Sequence, residues 1–278
     1  MEYSPVKISR IVRSLRGVSQ AQFVQAEDGH FYAAKFCGNP QGNRTLINEC
    51  VSSSLLGHLH VSAPFLRILE LPPDLPGHEE LYFQVKGERV RPQGILHLGS
   101  QCPVNPDQKP IFDFLPNRLL ENVQNLSEFA TMYVFDQWVG QADKRQAIYV
   151  PHKSPKLKAY FIDNGLAFNG AGWELLDRPL SGLAFQSCIY STLDIIPLIE
   201  KAVCQVESIS ERGLLDAADG VPPSWFADGD REGLDNLIHK LQKRQNNLRT
   251  IIHRHLPALC NYADMPSPRP GNAMSRAV

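Results

Sequence analysis

The chain has 278 residues, of which 43% are hydrophobic and 21% charged. That balance fits an ordinary soluble globular protein with room for two lobes or one large domain. A formal net charge of −1 gives no global attraction to nucleic acid or to an anionic membrane. No stretch approaches the roughly 18–20 apolar residues of a membrane span, and MEYSPVKISR has no apolar run after a basic start, so no secretory signal is visible. Six cysteines, at 37, 50, 102, 188, 204 and 260, lie scattered without a C-x-x-C pair. They fit buried thiols in a reducing cytoplasm better than a disulfide framework or a zinc ribbon. The nine histidines lack ligand spacing, so a metal site built from them is not expected.

Strands are expected at 6–11, 22–26 and 30–36. Arg16-Gly17-Val18-Ser19 separates the first two, and Asp28-Gly29 is a strong hairpin signal before the third. Gly38-Asn39-Pro40-Gln41-Gly42 breaks the third strand. Leu46, Ile47, Val51, Leu55, Leu56 and Leu59 then fall at helical spacing. Two further strands, at 65–71 and 81–85, flank the turn-rich PPDLPGHEE segment. The result is a small antiparallel sheet with one helix, an N-terminal lobe over 1–92.

From Gly94 the texture changes, and 101–117 reads as an irregular crossing segment. Asn125 followed by Glu128 resembles a capping box opening a helix over 126–139. Its apolar residues lie on more than one side (Phe129, Met132, Tyr133, Phe135, Trp138), which places it centrally. A loop at 140–146 leads to strands at 147–150 and 157–162. Helices are expected at 192–206 and 232–255, the latter with a stripe of Leu234, Leu237, Ile238, Leu241, Leu248, Ile251 and Ile252. The class is α+β, with a mainly helical C-terminal lobe over 93–256 and a disordered polar tail over 257–278.

Four residues carry the chemistry. Lys35 ends a strand, Glu49 lies in the following helix, Asp143 sits in the loop after the central helix, and Asp163 ends the last strand. That order is what ATP-dependent phosphoryl transfer in a kinase-like fold requires: a lysine on phosphate, a glutamate steadying it, an aspartate for the acceptor proton and another for Mg²⁺. Each has an ordinary alternative. Lys35 could be a solvated strand end, Glu49 a helix-surface carboxylate, Asp143 part of a solvated D-K-R turn, and Asp163 the start of an Asx-turn. Lys144 or Arg145 could neutralise transferred phosphate. Gly17 and Ser19 lie where a phosphate-covering loop would sit, although a hairpin turn would use the same residues. The helix over 232–255 carries Lys240, Lys243, Arg244, Arg249 and Arg254. A charged face opposite a leucine stripe is usually a solvated face, which argues against nucleic acid as a partner.

The combined motifs resemble those of HipA-like kinases. They are Gly17-x-Ser19, Asp28-Gly29-x-x-Tyr32-x-x-Lys35-Phe36, Gly38-Asn39-Pro40-Gln41-Gly42, Leu46-x-Asn48-Glu49, His97-x-Gly99-Ser100, Phe114-Leu115-Pro116, Trp138-x-Gly140-Gln141-x-Asp143-x-Arg145-Gln146 and Ile162-Asp163-x-Gly165-x-x-Phe168. The final Leu241-x-x-Arg244 also fits the stand-alone branch of that family, and the resemblance covers about 7–255. It implies a bilobal protein-kinase-like fold, ATP and Mg²⁺ as cofactors, and a hydroxyl acceptor on a protein or small molecule, with protein Ser/Thr as the default. Family roles pass to Lys35 and Glu49 (phosphates and their support), Asp143 (catalytic carboxylate) and Asp163 (metal). One departure stands out: the asparagine usual five places after the catalytic aspartate is Ile148. Gln146 or Asn164 would have to supply that metal ligand, and Gln141 replaces an asparagine often seen just before the aspartate. The departure gives the alternative of a nucleotide-binding module with little or no transfer activity.

Overall fold

The computed structural model describes residues 4–266. Strands β1 (Val6–Ser14), β2 (Gln22–Ala26) and β3 (Phe31–Lys35) form an antiparallel meander. Gly29, at φ 80°, supplies the left-handed turn that its second hairpin needs. Helix α1 (Arg44–His58) follows, then β4 (Leu66–Glu70), a short hairpin of β5 (Phe83–Val85) and β6 (Glu88–Val90), and β7 (Leu96–Gln101).

The sheet is not the antiparallel layer that the sequence suggested. Strands β1, β2, β3, β7 and β4 close into a barrel, because the start of β1 pairs in parallel with β4 through Val6↔Leu69 and Lys7↔Glu70. Register shifts between Ile8 and Arg10 and between Ile11 and Arg13 bend β1, as bulges do, so one strand serves two neighbours. Strand β7 pairs with both β3 and β4, so the barrel includes residues through Gln101. Gly99 in β7 admits the Leu69 side chain, which a Cβ there would meet at 2.6 Å. Ile8, Val24, Tyr32, Ala34, Phe36, Leu69 and Phe83 fill the barrel. Ile68 and Leu98 turn the other way and join Leu46, Ile47, Val51 and Leu55 of α1 in the main core.

Beyond the barrel come α2 (Glu128–Val139), the β8 (Gln146–Pro151) and β9 (Leu157–Ile162) hairpin, and a 3₁₀ segment, Ala167–Gly172. Helices α3 (Cys188–Ser191), α4 (Ile195–Glu207), α5 (Glu211–Asp219), α6 (Asp230–Asn246) and α7 (Leu248–Ala263) complete the chain. As its all-round apolar sequence requires, α2 is buried on every side. Its N-terminus is not the expected capping box. The Asn125 amide instead brackets the backbone of Ala159 in β9, donating to its carbonyl at 3.0 Å and accepting its N–H at 2.9 Å. The Glu128 carboxylate accepts from the Ser62 N–H at 2.8 Å and from its hydroxyl. Both residues tie α2 to neighbouring segments rather than to its own first turn.

The expected helix over 232–255 is two helices. They break at Asn247, whose side chain turns back to the Lys243 carbonyl, while the leucine stripe carries on across the break. Pro257 lies inside α7, so the first part of the expected disordered tail is helical to Ala263. The part of that tail from 267 onward lies outside the described residues. None of the six cysteines is in a disulfide. Among the described residues no helix is long and apolar enough to cross a membrane.

Candidate active site

Alternation in β3 sends Tyr32 and Ala34 into the barrel, so Lys35 emerges on the face toward α1. There its Nζ lies 2.6 Å from Glu49 Oε1 and 2.8 Å from Asp163 Oδ1, joining groups 128 positions apart in the chain. Burial opposes the charge on Lys35, but the two carboxylates outweigh it and hold the pKa above the ordinary lysine value. The second oxygen of Glu49 accepts the backbone N–H of Asn164 at 3.0 Å. Asp163 follows β9 at φ 63°, a left-handed conformation that costs a non-glycine residue. Burial favours its neutral form, yet the Lys35 ammonium, with help from Arg145, holds the carboxyl below the usual range. Its side chain is 40% exposed, so this ion triad opens to solvent.

Asp143 belongs to the same end of the structure. Strands β8 and β9 pair with Gln146 opposite Ile162. Asp143, three residues before Gln146, and Asp163, one after Ile162, therefore leave the hairpin at the same end. Asp143 is exposed, and its Oδ1 accepts the Lys144 N–H at 2.7 Å. The flanking cations are turned elsewhere. Lys144 Nζ lies 4.7 Å over the Tyr262 ring. Arg145 is fully buried in a two-pronged ion pair with Asp136 of α2, with Nε 2.8 Å from Asp136 Oδ2 and Nη2 on Oδ1. The expectation that Arg145 could meet transferred phosphate is therefore corrected. Its remaining donor, Nη1, binds the Ile162 carbonyl at 2.9 Å and Asn164 Oδ1 at 3.0 Å. Arg145 is an internal brace across the residues on either side of Asp163.

The donor groups around Asp163 suit a hard cation. Oδ1 accepts from Lys35, whereas Oδ2 accepts from the Gln146 Nε2 at 3.3 Å. Gln141 donates to the Asp163 carbonyl at 3.2 Å, and its own Oε1 is buried with no partner. With the Gln146 carboxamide turned over to present its Oε1, one carboxylate and an amide oxygen, with phosphates and water for the rest, would be a donor set that fits Mg²⁺. Among the described residues no group of three His, Cys, Asp or Glu side chains could hold a metal alone. Asn164 is not a free second ligand, since Arg145 occupies its Oδ1. Ile148 pairs with Tyr160, two residues further along β8 from Gln146 and away from Asp163.

Gly17 and Ser19 lie in the turn between β1 and β2, closed by the Leu15 N–H on the Ala21 carbonyl at 2.8 Å. Because Gln22 pairs with Ala34, that turn sits at the Lys35 end of β3. The Gln20 side chain clips it to the Gln84 backbone with two bonds of 2.9 Å. The basic residues of α6 and α7 are largely paired: Arg244 and Arg254 with Asp177, Arg249 with Glu200 and Glu207.

Two residues that bear on the site carried no assigned role in the sequence reading. Asp136 was detectable, since a carboxylate inside a helix apolar all round must have a charged partner. Asn48 belonged to a quoted motif, but its four partners lie over 115 positions downstream, where no local pattern reveals them.

The fold is kinase-like. It resembles the crystal structure of a Helicobacter pylori proinflammatory kinase, CtkA, with a TM-score of 0.55 at 11% identity, over 89% of this chain and 98% of that one. The Golgi casein kinase aligns with a TM-score of 0.47 at 9% identity, over 89% of this chain and 74% of its own. Its structure with Mn/ADP bound gives 0.46 at 9%, over 87% and 73%. No family model and no curated protein matches the chain by sequence.

Proposed function

We propose that this protein is an ATP-dependent phosphotransferase of HipA-like type that moves a γ-phosphate to a hydroxyl, with Ser or Thr of a protein as the default acceptor. The observation that carries the reading is the Lys35 ammonium held between Glu49 and Asp163, at 2.6 and 2.8 Å, in a kinase-like fold. Lys35 binds nucleotide phosphate, and Glu49 keeps its ammonium aimed. The turn carrying Gly17 and Ser19 covers the phosphates with backbone N–H groups. Asp163, with Gln146, would hold Mg²⁺. That ion would supply positive charge that neutralises the charge building on the transferred phosphate. Asp143 orients the acceptor hydroxyl and takes its proton.

A second reading has its own support. Ile148 cannot ligate a metal, and Asn164 is committed to Arg145, so the ligand set is short of one usual donor. A protein of that kind would bind nucleotide and act through a partner surface. Transfer from γ-labelled ATP by the wild type and by Asp143→Asn separates the two. The phosphotransferase labels acceptor or itself and loses about 10²–10⁴ of that rate in the variant. Nucleotide binding without label transfer in either form overturns the enzyme reading and leaves the binding module.

A further inference from the structure

Asn48 is fully buried in α1, one residue before Glu49, and both ends of its carboxamide are hydrogen-bonded. Its Nδ2 donates to the carbonyls of Gly165, Ala167 and Gly170 at 2.9, 3.0 and 3.0 Å. Its Oδ1 accepts the Trp173 indole N–H at 2.8 Å. The chain it grips is strained: Asp163, Phe168, Asn169 and Trp173 all have positive φ, between 52° and 63°. Such conformations persist only where the surroundings over-determine them. Arg44, one turn earlier in α1, adds to the grip. It lies 4.4 Å over the Trp173 ring and donates to the Ala171 carbonyl at 2.6 Å.

We propose that Asn48 is a positioning residue that sets Asp163 for metal-bound nucleotide, by locking the strained segment 163–173 onto α1. This rests on the functional reading above and deepens it. One helix then presents Glu49 to Lys35 and Asn48 to the chain that follows Asp163. The segment touches α1 closely at Gly165, where an added Cβ would lie 3.4 Å from Thr45 Cβ and 3.5 Å from Glu49 Oε1. Movement of α1 away from Asp163 breaks the Asn48 bonds and the Glu49–Asn164 bond together.

Asn48→Asp keeps the shape but replaces a donor to three carbonyls with an acceptor. Hydrogen exchange and ADP binding, with and without Mg²⁺, are measured on the full chain of wild type and variant. The expected result is faster exchange over 163–175 with α6 and α7 unchanged, and Mg²⁺-dependent ADP affinity reduced about 10–100-fold, as for groups that support a metal ligand. Metal-free ADP affinity, which depends on Lys35 rather than on Asp163, stays within about threefold, below that supporting-group range. A general loss of folding would lower both affinities alike. Unchanged exchange, or Mg²⁺-dependent affinity within threefold of wild type, overturns the role. A wild type that binds no nucleotide overturns the phosphotransfer reading and this role with it. If Asn48→Asp does not fold, Trp173→Phe removes the indole donor to Asn48 while keeping an aromatic ring under Arg44. It is expected to shift exchange and Mg²⁺ dependence in the same direction by a smaller factor, and no shift in either overturns the proposal.

Discussion

Asp136→Asn should cost stability and phosphate transfer by separable routes. The pair it breaks is fully buried on both sides, with 0% of either side chain exposed. Burial pushes the Asp136 carboxyl upward and the Arg145 guanidinium pulls it back, while arginine stays charged at any accessible pH. Removing one charge strands the other in the interior, which costs about 3–5 kcal/mol, a large share of the roughly 5–15 kcal/mol that holds a domain together. Gly182 sharpens the effect: a Cβ there would lie 2.1 Å from Asp136 Cβ, so its backbone packs directly against the Asp136 side chain. Replacing both partners with apolar groups, Asp136→Leu with Arg145→Met, should restore most of the stability, since buried pairs are often no better than well-packed hydrophobes. It should not restore transfer, because Arg145 also binds the Ile162 carbonyl and Asn164 Oδ1 on either side of Asp163. Urea midpoints give the first quantity and γ-label transfer the second. Asp136→Asn within about 1 kcal/mol of wild type would refute the burial argument, given the 3–5 kcal/mol expected. Full transfer in the double variant would refute the brace.

Lys35→Met should reduce transfer about 10²–10³-fold, the usual loss when one preorganised charge is removed, and an unchanged rate in the label assay would remove Lys35 from phosphate binding. Asp163→Ala should abolish both transfer and Mg²⁺-dependent ATP binding, which titration with and without Mg²⁺ reads directly. Saturating ATP with Mg²⁺ at about 100 times Kd should stabilise the wild type by roughly 2.7 kcal/mol, seen as a rise in Tm that Asp163→Ala lacks. His97 makes a prediction about pH. It is buried in β7, its Nδ1 accepts the Cys37 N–H at 3.1 Å, and burial, with a smaller push from His78, lowers its pKa to about 3. The unfolded chain therefore takes up this proton first. Stability is lost as pH falls from about 6.5 toward about 3, by up to roughly 1.4 kcal/mol per pH unit. His97→Gln should make the urea midpoint fall less steeply between about pH 6 and 4.5, below the ordinary histidine pKa. Coincident slopes would contradict a neutral buried imidazole.

Local signals carried most of the elements. The Asp28-Gly29 hairpin, the α1 stripe and the two strands of the β8–β9 hairpin are patterns within a dozen residues, and their bounds in the structure differ by only a few positions. What the sequence hid was long-range. Barrel closure depends on bulges in β1, which leave no compositional mark, and β7 (LHLGSQ) mixes a glycine and polar residues that weaken a strand pattern. The helix break at Asn247 was masked because the apolar stripe keeps its phase across it. Asn125 and Glu128 had capping spacing, but tertiary partners at Ala159 and Ser62 outcompeted the first turn. The residue types of the site were legible in order, whereas the distinction between Arg145 as phosphate ligand and as internal brace lay wholly in Asp136.

That distinction shows how the site tolerates its own strain. Asp163 needs a left-handed backbone to turn its carboxylate toward Lys35, and such a residue relaxes unless its neighbours are held. Arg145 binds the Ile162 carbonyl and the Asn164 side chain, Glu49 binds the Asn164 N–H, and Gln141 binds the Asp163 carbonyl. Three side chains, Glu49 from α1 with Gln141 and Arg145 from the loop after α2, thus fix three consecutive residues, while the Asp163 carboxylate keeps one oxygen off Lys35 and turned to Gln146. The charges divide the work. The Arg145–Asp136 pair is sealed from water and acts on the backbone. The Lys35–Glu49–Asp163 triad opens to solvent, and in the proposed function its net charge of −1 would take up a cation and its lysine would change partners to phosphate. A cation at Asp163 would weaken the hold of that carboxylate on Lys35, so metal and nucleotide binding should reinforce each other.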